Sequence, residues 1–63
     1  MSNTKAKILE IVSTQGPISA LDITRIIYNT YKKKGEVNAI LYKLQNNNQI
    51  MRTESNPPLW YKI

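Results

Sequence analysis

Apolar residues recur with helical spacing early in the chain, where residues 3–14 interleave them with polar and charged positions. Spacings of i, i+3 and i+4 place side chains on one face of an α-helix. The residues with this spacing are Ile8, Ile11 and Val12. Asn3 or Thr4 can cap such a helix at its start. Gly16 suits a left-handed stop at its end, and Pro17 prevents continuation.

A second helix is predicted to start after Ser19 and to end near Tyr28. Ile18, just before it, is predicted to form a very short strand. The sequence S-A-L-D is a capping box in which Asp22 replaces the usual glutamate, so Ser19 is the expected N-cap. The predicted apolar face consists of Leu21, Ile23, Ile26 and Ile27.

The third helix, predicted over residues 33–46, has the clearest pattern. Apolar side chains recur at i, i+3, i+4 and i+7, which is typical of a core-facing helix. These side chains are Val37, Ile40, Leu41 and Leu44. Asn29 or Thr30 can cap its start. The polar tract 45–49 is interpreted as a solvated exit in which an asparagine takes a left-handed cap.

Residues 49–54 and 58–63 predict two strands joined by a turn. In the second strand, alternation places Leu59, Tyr61 and Ile63 on one face and Trp60 and Lys62 on the other. Three helices followed by a C-terminal two-stranded hairpin predict an α+β winged helix-turn-helix fold. In such folds the third helix is usually the recognition helix. Residues 1–63 are predicted to form one domain.

The composition of the chain narrows the classes of function that are possible. Nine basic and four acidic residues give a net charge of +5, which favours a polyanionic partner such as nucleic acid. The absence of cysteine and histidine excludes thiolate metal sites, histidine general bases and Ser-His-Asp triads. No apolar run approaches the ~20 residues of a membrane span, and no signal peptide is visible. We therefore expect a binding module without cofactor, not an enzyme.

One line along the third helix carries candidate ligand-binding chemistry. Lys34, Asn38 and Tyr42 are spaced i, i+4, i+8 and fall within roughly 80° of each other on a helical wheel. A cation, an amide and a phenol can each hydrogen-bond to a phosphate, and the tyrosine ring can also stack on a base. The lysine run 32–34 opposes the helix dipole at a small cost, which favours a ligand role for these charges.

Two stretches of the sequence resemble one family. E-V-N-A-I-L-Y-K-L-Q, residues 36–45, and N-P-P-L-W, residues 56–60, are similar to the Z-alpha family of winged-helix domains, which bind left-handed Z-DNA and Z-RNA. These domains occur in an RNA-editing adenosine deaminase, in innate sensors, in a fish antiviral kinase and in viral proteins. The family pattern is an asparagine, a tyrosine four residues on, and a Pro-Pro-x-Trp wing. The matching residues are Asn38, Tyr42, Pro57, Pro58 and Trp60.

The resemblance implies a role for each matching residue. Asn38 would hydrogen-bond to a phosphate, and Tyr42 would lay its ring against a syn guanine. Trp60 would pack edge-to-face on Tyr42 and reach a phosphate through its indole N–H. The two wing prolines would contact the backbone, and Lys34 aligns with a phosphate-binding lysine. The predicted nucleic-acid-binding set is Lys33, Lys34, Asn38, Tyr42, Asn56, Pro57, Pro58 and Trp60.

Three positions depart from the family pattern. Ala39 stands where an arginine often follows the asparagine, and Gly35 stands where lysine is frequent. Asn56 replaces a common threonine before the prolines and can still donate a hydrogen bond. Because two family cations are missing, we expect weaker binding than in the best members, with the fold preserved.

The resemblance also implies partners. The expected ligand is a Z-DNA or Z-RNA duplex of alternating purines and pyrimidines such as CG repeats, bound by a protein that is monomeric when free, with more than one copy per duplex. We expect no membrane partner and no small-molecule substrate. The implied location is the cytoplasm or nucleus, in a host cell if the protein is viral, where it would compete with host sensors.

Two alternatives stay open, namely a B-DNA winged-helix transcription regulator and a winged-helix protein-interaction module.

Overall fold

A computed structural model of the protein describes residues 3–63, so Met1 and Ser2 of the predicted domain lie outside the described residues. The described part of the chain contains three helices and three strands. Their bounds are α1 Thr4–Gln15, β1 Ile18–Ser19, α2 Ala20–Tyr28, α3 Lys34–Asn46, β2 Ile50–Arg52 and β3 Leu59–Lys62. The predicted helices, the short strand at Ile18 and the C-terminal hairpin are confirmed.

The strands form one antiparallel sheet in which β3 is central, with the order β1-β3-β2. Ile18 pairs with Trp60 on one side of β3, and Arg52 pairs with Trp60 on the other. The sequence predicted a two-stranded hairpin and did not predict that β1 would join it. This third strand ties the α1–α2 connection to the wing, so α2 begins directly beside the hairpin.

The core lies between the three helices and β3, within the described residues. Trp60 is 1% exposed and is its largest side chain, whereas its strand neighbours Leu59 and Tyr61 are half-buried, which fits opposite faces of the strand. The other buried apolar residues are Ile8, Ile11, Val12, Ile18, Ala20, Ile23, Val37, Leu41, Leu44 and Ile50. Across residues 3–63, every helix is too short or too polar to span a lipid bilayer.

Gly16 ends α1 for a different reason from the one predicted. Its backbone is extended, with φ −68° and ψ 156°. The prediction that Gly16 ends the helix in the left-handed conformation is therefore wrong. A Cβ at this position would collide with the carbonyl oxygen of Val12 and lie 2.9 Å from that of Trp60. Glycine is therefore required by the close approach of α1 and β3, not by an unusual backbone conformation.

The N-terminus of α2 is capped as predicted, because the Ser19 hydroxyl accepts a hydrogen bond of 3.2 Å from the Asp22 N–H. The predicted apolar face is wrong at two positions: Leu21 is 41% exposed and Ile26 is 50% exposed. Thr24 is buried in their place. Its hydroxyl donates to the carbonyl of Ala20, which removes the cost of burying it.

The connection from α2 to α3 also differs from the prediction. Asn29 adopts the left-handed conformation, with φ 56°, and its N–H donates to the carbonyl of Arg25, so it caps the end of α2. Thr30 instead accepts a hydrogen bond from the N–H of Lys32. Lys33 occupies the N-cap position of α3. Neither Asn29 nor Thr30 therefore caps α3.

The end of α3 is a Schellman motif within the asparagine-rich tract. Asn48 has φ 62° and donates its N–H to the carbonyl of Gln45, while Gln49 donates to the carbonyl of Leu44. These two bonds satisfy carbonyls that the helix end would leave unpaired. The predicted left-handed asparagine is confirmed at Asn48, and β2 follows at once.

Candidate nucleic-acid interface

A cavity of about 230 Å³ opens between α3, the start of α2 and the wing. Its walls come from three separate stretches of the chain. The lining residues are Ser19, Ala20, Leu21, Lys34, Asn38, Tyr42, Pro57, Pro58 and Trp60. Six of these belong to the predicted binding set. The other two members of that set, Lys33 and Asn56, do not line the cavity.

The α3 wall of the cavity follows from the helical spacing. Val37, Leu41 and Leu44 fix one face of the helix in the core. Residues four apart lie above one another on a helix, so Lys34, Asn38 and Tyr42 share the neighbouring face and line the cavity together. Together they present an ammonium group, an amide and an aromatic ring along one edge of the opening.

Tyr42 and Trp60 form an edge-to-face pair, with ring centroids 5.4 Å apart and an interplanar angle of 89°. The resemblance implied this arrangement. Trp60 is held in the core, whereas Tyr42 is 44% exposed. Such a pair contributes about 0.5–1.5 kcal/mol beyond its buried area. The buried indole therefore supports an exposed tyrosine ring at the mouth of the cavity.

Trp60 also brings a hydrogen-bond donor, its indole N–H, to the candidate site. No side-chain nitrogen or oxygen that is fully buried within residues 3–63 lacks a hydrogen-bond partner. The Trp60 N–H makes no hydrogen bond to the described part of the chain, so it must retain access to solvent, and Trp60 lines this cavity. A donor in such a position can bond to a phosphate or to a bridging water.

Side-chain hydrogen bonds hold the loop of the wing in shape. The hydroxyl of Thr53 accepts from the Leu59 N–H at 2.8 Å and lies 2.6 Å from the hydroxyl of Ser55. The Ser55 hydroxyl donates to the carbonyl of Pro57 at 2.9 Å. Pro57 and Pro58 precede β3 and lie outside its hydrogen-bonded ladder. Their lack of backbone N–H groups therefore costs the sheet no hydrogen bond. The loop thus presents two rigid apolar rings at the cavity.

Two predicted residues do not line the cavity. The Lys33 ammonium lies 3.9 Å from the carboxylate of Glu36, and both side chains are more than half exposed. An exposed pair of this kind contributes little to stability and leaves the lysine available to other anions. Asn56 is exposed and is joined to Pro57 by a cis peptide bond.

Arg52 contacts the aromatic pair, and the sequence did not indicate it. Its guanidinium donates a 2.7 Å hydrogen bond to the hydroxyl of Tyr42. The guanidinium carbon lies 5.3 Å from the centre of the Tyr42 ring and 5.9 Å from that of Trp60. The signal that could have found it is the hairpin register, which pairs Arg52 with Trp60.

The start of α2 is a part of the cavity that sequence reasoning missed. Ser19, Ala20 and Leu21 line it opposite α3. The pairing of Ser19 with Leu59 brings this helix start to the wing. Because this contact depends on sheet pairing between distant segments, no local pattern could have indicated it.

The fold and the cavity define a winged-helix domain with a candidate nucleic-acid interface. The family model described as the adenosine deaminase z-alpha domain matches residues 1–62, so the chain belongs to that family. The chain is also similar to a Zalpha domain from Carassius auratus PKZ, whose crystal structure was solved in complex with Z-DNA. The two are 31% identical with a TM-score of 0.84, over 97% of this chain and 94% of that one. No curated protein matches the sequence.

Proposed function

We propose that this chain binds left-handed Z-form double-stranded nucleic acid by shape and stabilises the Z conformation, as a binding module without catalysis. One observation carries the proposal. Lys34, Asn38, Tyr42, Trp60 and the wing prolines come from two distant segments and line one cavity. The similar Zalpha domain of PKZ, solved with Z-DNA, supports the same ligand.

Each wall of the cavity would contact a different part of the duplex. Lys34 and Asn38 would bind phosphates, because an ammonium and an amide both donate hydrogen bonds. Tyr42 would place the exposed face of its ring against a base, as aromatic side chains do in other nucleic-acid complexes. The wing prolines would make apolar contacts with the backbone.

Recognition by shape explains how the duplex would change hand. Phosphate contacts carry little direct base information, so selectivity must come from the path of the backbone. A surface that fits the zigzag backbone gains contacts only when the duplex is left-handed. By linkage, the protein then shifts the equilibrium toward that form in proportion to its differential affinity.

The interface is organised before the ligand arrives. Trp60 is fixed in the core, and the wing loop is held by the hydrogen bonds of Thr53 and Ser55. Little side-chain or loop entropy is then lost on binding. The net charge of +5 adds a favourable long-range term that salt screens.

The binding selectivity can be tested with duplexes of equal length and charge. The protein would be titrated, by fluorescence anisotropy at low salt, into an alternating CG duplex and a mixed-sequence duplex. We expect much tighter binding to the CG duplex, as DNA or as RNA, because only that sequence reaches the Z form readily. Equal affinity for both would indicate a B-DNA regulator, and no binding to either would favour a protein-docking surface.

The biological part of the proposal is competition. We propose that the protein occupies Z-form DNA or RNA in the cytoplasm or nucleus and masks it from host sensors, with more than one monomer per duplex. The support is the family itself, which the sequence resemblance associates with viral antagonists. Adding the chain to a preformed complex of a sensor Z-alpha domain and a labelled CG duplex should displace the sensor. Retention of the sensor at saturating chain would contradict this role.

A further inference from the structure

Arg52 has no part in the mechanism described so far, although it contacts both rings of the aromatic pair. It donates a hydrogen bond to the hydroxyl of Tyr42, and its guanidinium lies within 6 Å of the centres of the Tyr42 and Trp60 rings. The hairpin register places it directly opposite Trp60 on the neighbouring strand. Its position is therefore determined by the sheet rather than by a mobile loop.

We propose that Arg52 is a positioning residue that holds the ring of Tyr42 in the orientation required for base contact. The proposal rests on the proposed function, since it assigns Tyr42 to the ligand. Trp60 supports Tyr42 through a perpendicular ring contact, which does not by itself fix the far end of the phenol. The hydrogen bond to the hydroxyl supplies a second anchor at that end.

Geometry favours positioning over direct contact with the ligand. Arg52 does not line the cavity of Lys34 and Asn38; it lines a second depression, which shares only Pro58 with that cavity. The ion pair recorded within residues 3–63 joins Lys33 to Glu36, so the charge of Arg52 is not committed to a carboxylate. A planar guanidinium can donate to a phenol and lie against an aromatic ring at the same time. A lysine ammonium cannot reproduce this combination.

A double-mutant cycle tests the proposal with the protein bound to a CG duplex. Arg52→Met and Tyr42→Phe should each weaken binding by about ten-fold, because each removes the same hydrogen bond to a charged group. The double variant should be no weaker than either single variant. Arg25→Met, which removes an exposed charge from α2, is the matched control and should change affinity less than three-fold.

Three results would overturn positioning. If Arg52→Met weakens binding no more than Arg25→Met does, the loss of net charge alone would explain the effect. An Arg52→Met effect that persists at full size in the Tyr42→Phe background would mean that Arg52 acts independently of the hydroxyl. Full rescue by Arg52→Lys, with a salt slope that falls by about 0.9 in Arg52→Met but not in the control, would indicate a direct phosphate contact.

The free protein separates this proposal from the proposed function. In NMR spectra without nucleic acid, the ring protons of Tyr42 should carry a ring-current shift from Trp60, and Arg52→Met should reduce it. Unchanged Tyr42 ring shifts in that variant would contradict positioning even if the wild-type chain binds Z-form duplex. If the wild-type chain fails to bind, altered ring shifts would still support the anchor while the function is rejected.

Discussion

Tyr42 combines two properties that a stacking residue needs. The residue is 44% exposed, so part of its side chain is accessible to a ligand. The ring is also held at 89° to the buried indole of Trp60 and bonded through its hydroxyl to Arg52. At the residue scale, the proposed recognition depends on this single exposed ring more than on any one charge.

Replacing Tyr42 with alanine should abolish binding to a CG duplex, because the base contact and the edge-to-face pair are both lost. The far-UV CD spectrum should stay helical, since Tyr42 lies outside the core. Tyr31→Ala is the matched control, because Tyr31 is 51% exposed, lies in the α2–α3 connection and does not line the cavity that contains Asn38. Unchanged affinity in Tyr42→Ala would remove Tyr42 from the site.

Lys34 tests the electrostatic part of the interface. If its ammonium neutralises one phosphate, Lys34→Met should weaken duplex binding and reduce the slope of log K against log salt by about 0.9. Lys43→Met makes the same charge change on the same helix but away from the cavity, and should leave the slope nearly unchanged. Identical slopes for the two variants would contradict a specific phosphate contact at Lys34.

At the scale of the elements, the wing depends on one side-chain hydroxyl. Thr53 closes the hairpin by accepting from Leu59 N–H at 2.8 Å, and it also contacts Ser55. Thr53→Val keeps the shape of the side chain but leaves the partly buried N–H of Leu59 unpaired. We expect a loss of about 1–2 kcal/mol in the free energy of unfolding, measured by urea denaturation, together with weaker duplex binding.

Thr14→Val is the control for this change. The Thr14 hydroxyl is exposed and bonds to the carbonyl of Glu10 in its own helix, so its loss should alter stability by less than about 0.5 kcal/mol. Equal stability of the two variants would show that the Thr53 network does not hold the wing.

The two glycines should respond to alanine in opposite directions. Gly16→Ala places a Cβ against the carbonyl oxygens of Val12 and Trp60, which should destabilise the protein by about 1–3 kcal/mol. Gly35→Ala meets nothing within 4 Å and lies in α3, so it should stabilise by about 0.5–1 kcal/mol. Urea denaturation of both variants checks this, and a destabilised Gly35→Ala would contradict the open surroundings of that residue.

Local sequence predicted the elements well, because their signals are local. The ends of α1 and α3 fall within one residue of prediction, and α2 begins after its Ser19 cap as expected. The exposure of Leu21 and Ile26 was not predicted, since burial depends on which side of a helix its neighbours cover. The left-handed Asn48 followed from its place in an asparagine tract, whereas the need for glycine at position 16 depends on the close approach of the distant strand β3.

The candidate site was predictable where the family pattern names its residues and unpredictable where sheet pairing creates it. Asn38, Tyr42 and Trp60 carry a spacing that can be read from the chain. Arg52 and Ser19 reach the site only because β2 and β1 flank β3. Pairing of β1 with the distant β3 leaves no trace in local periodicity, so Ser19 was missed, whereas Arg52 was missed because the register of the predicted hairpin was not assigned.

At the scale of the whole molecule, a small basic domain presents one prearranged surface. Trp60 contributes both to the stability of the core and to the proposed binding surface, because it packs in the centre and supports Tyr42 at the surface. The net charge of +5 draws the domain to polyanions of any shape. The proposed selectivity must therefore come from the fit of the cavity, which would favour one hand of the duplex.

The most direct test is a circular dichroism titration of an alternating CG duplex at low salt, where the free duplex is right-handed. We predict that adding the protein inverts the long-wavelength bands to the left-handed spectrum, and that Tyr42→Ala at the same concentration does not. A duplex that is fully bound, as shown by anisotropy, yet keeps its right-handed spectrum would contradict recognition of the Z form.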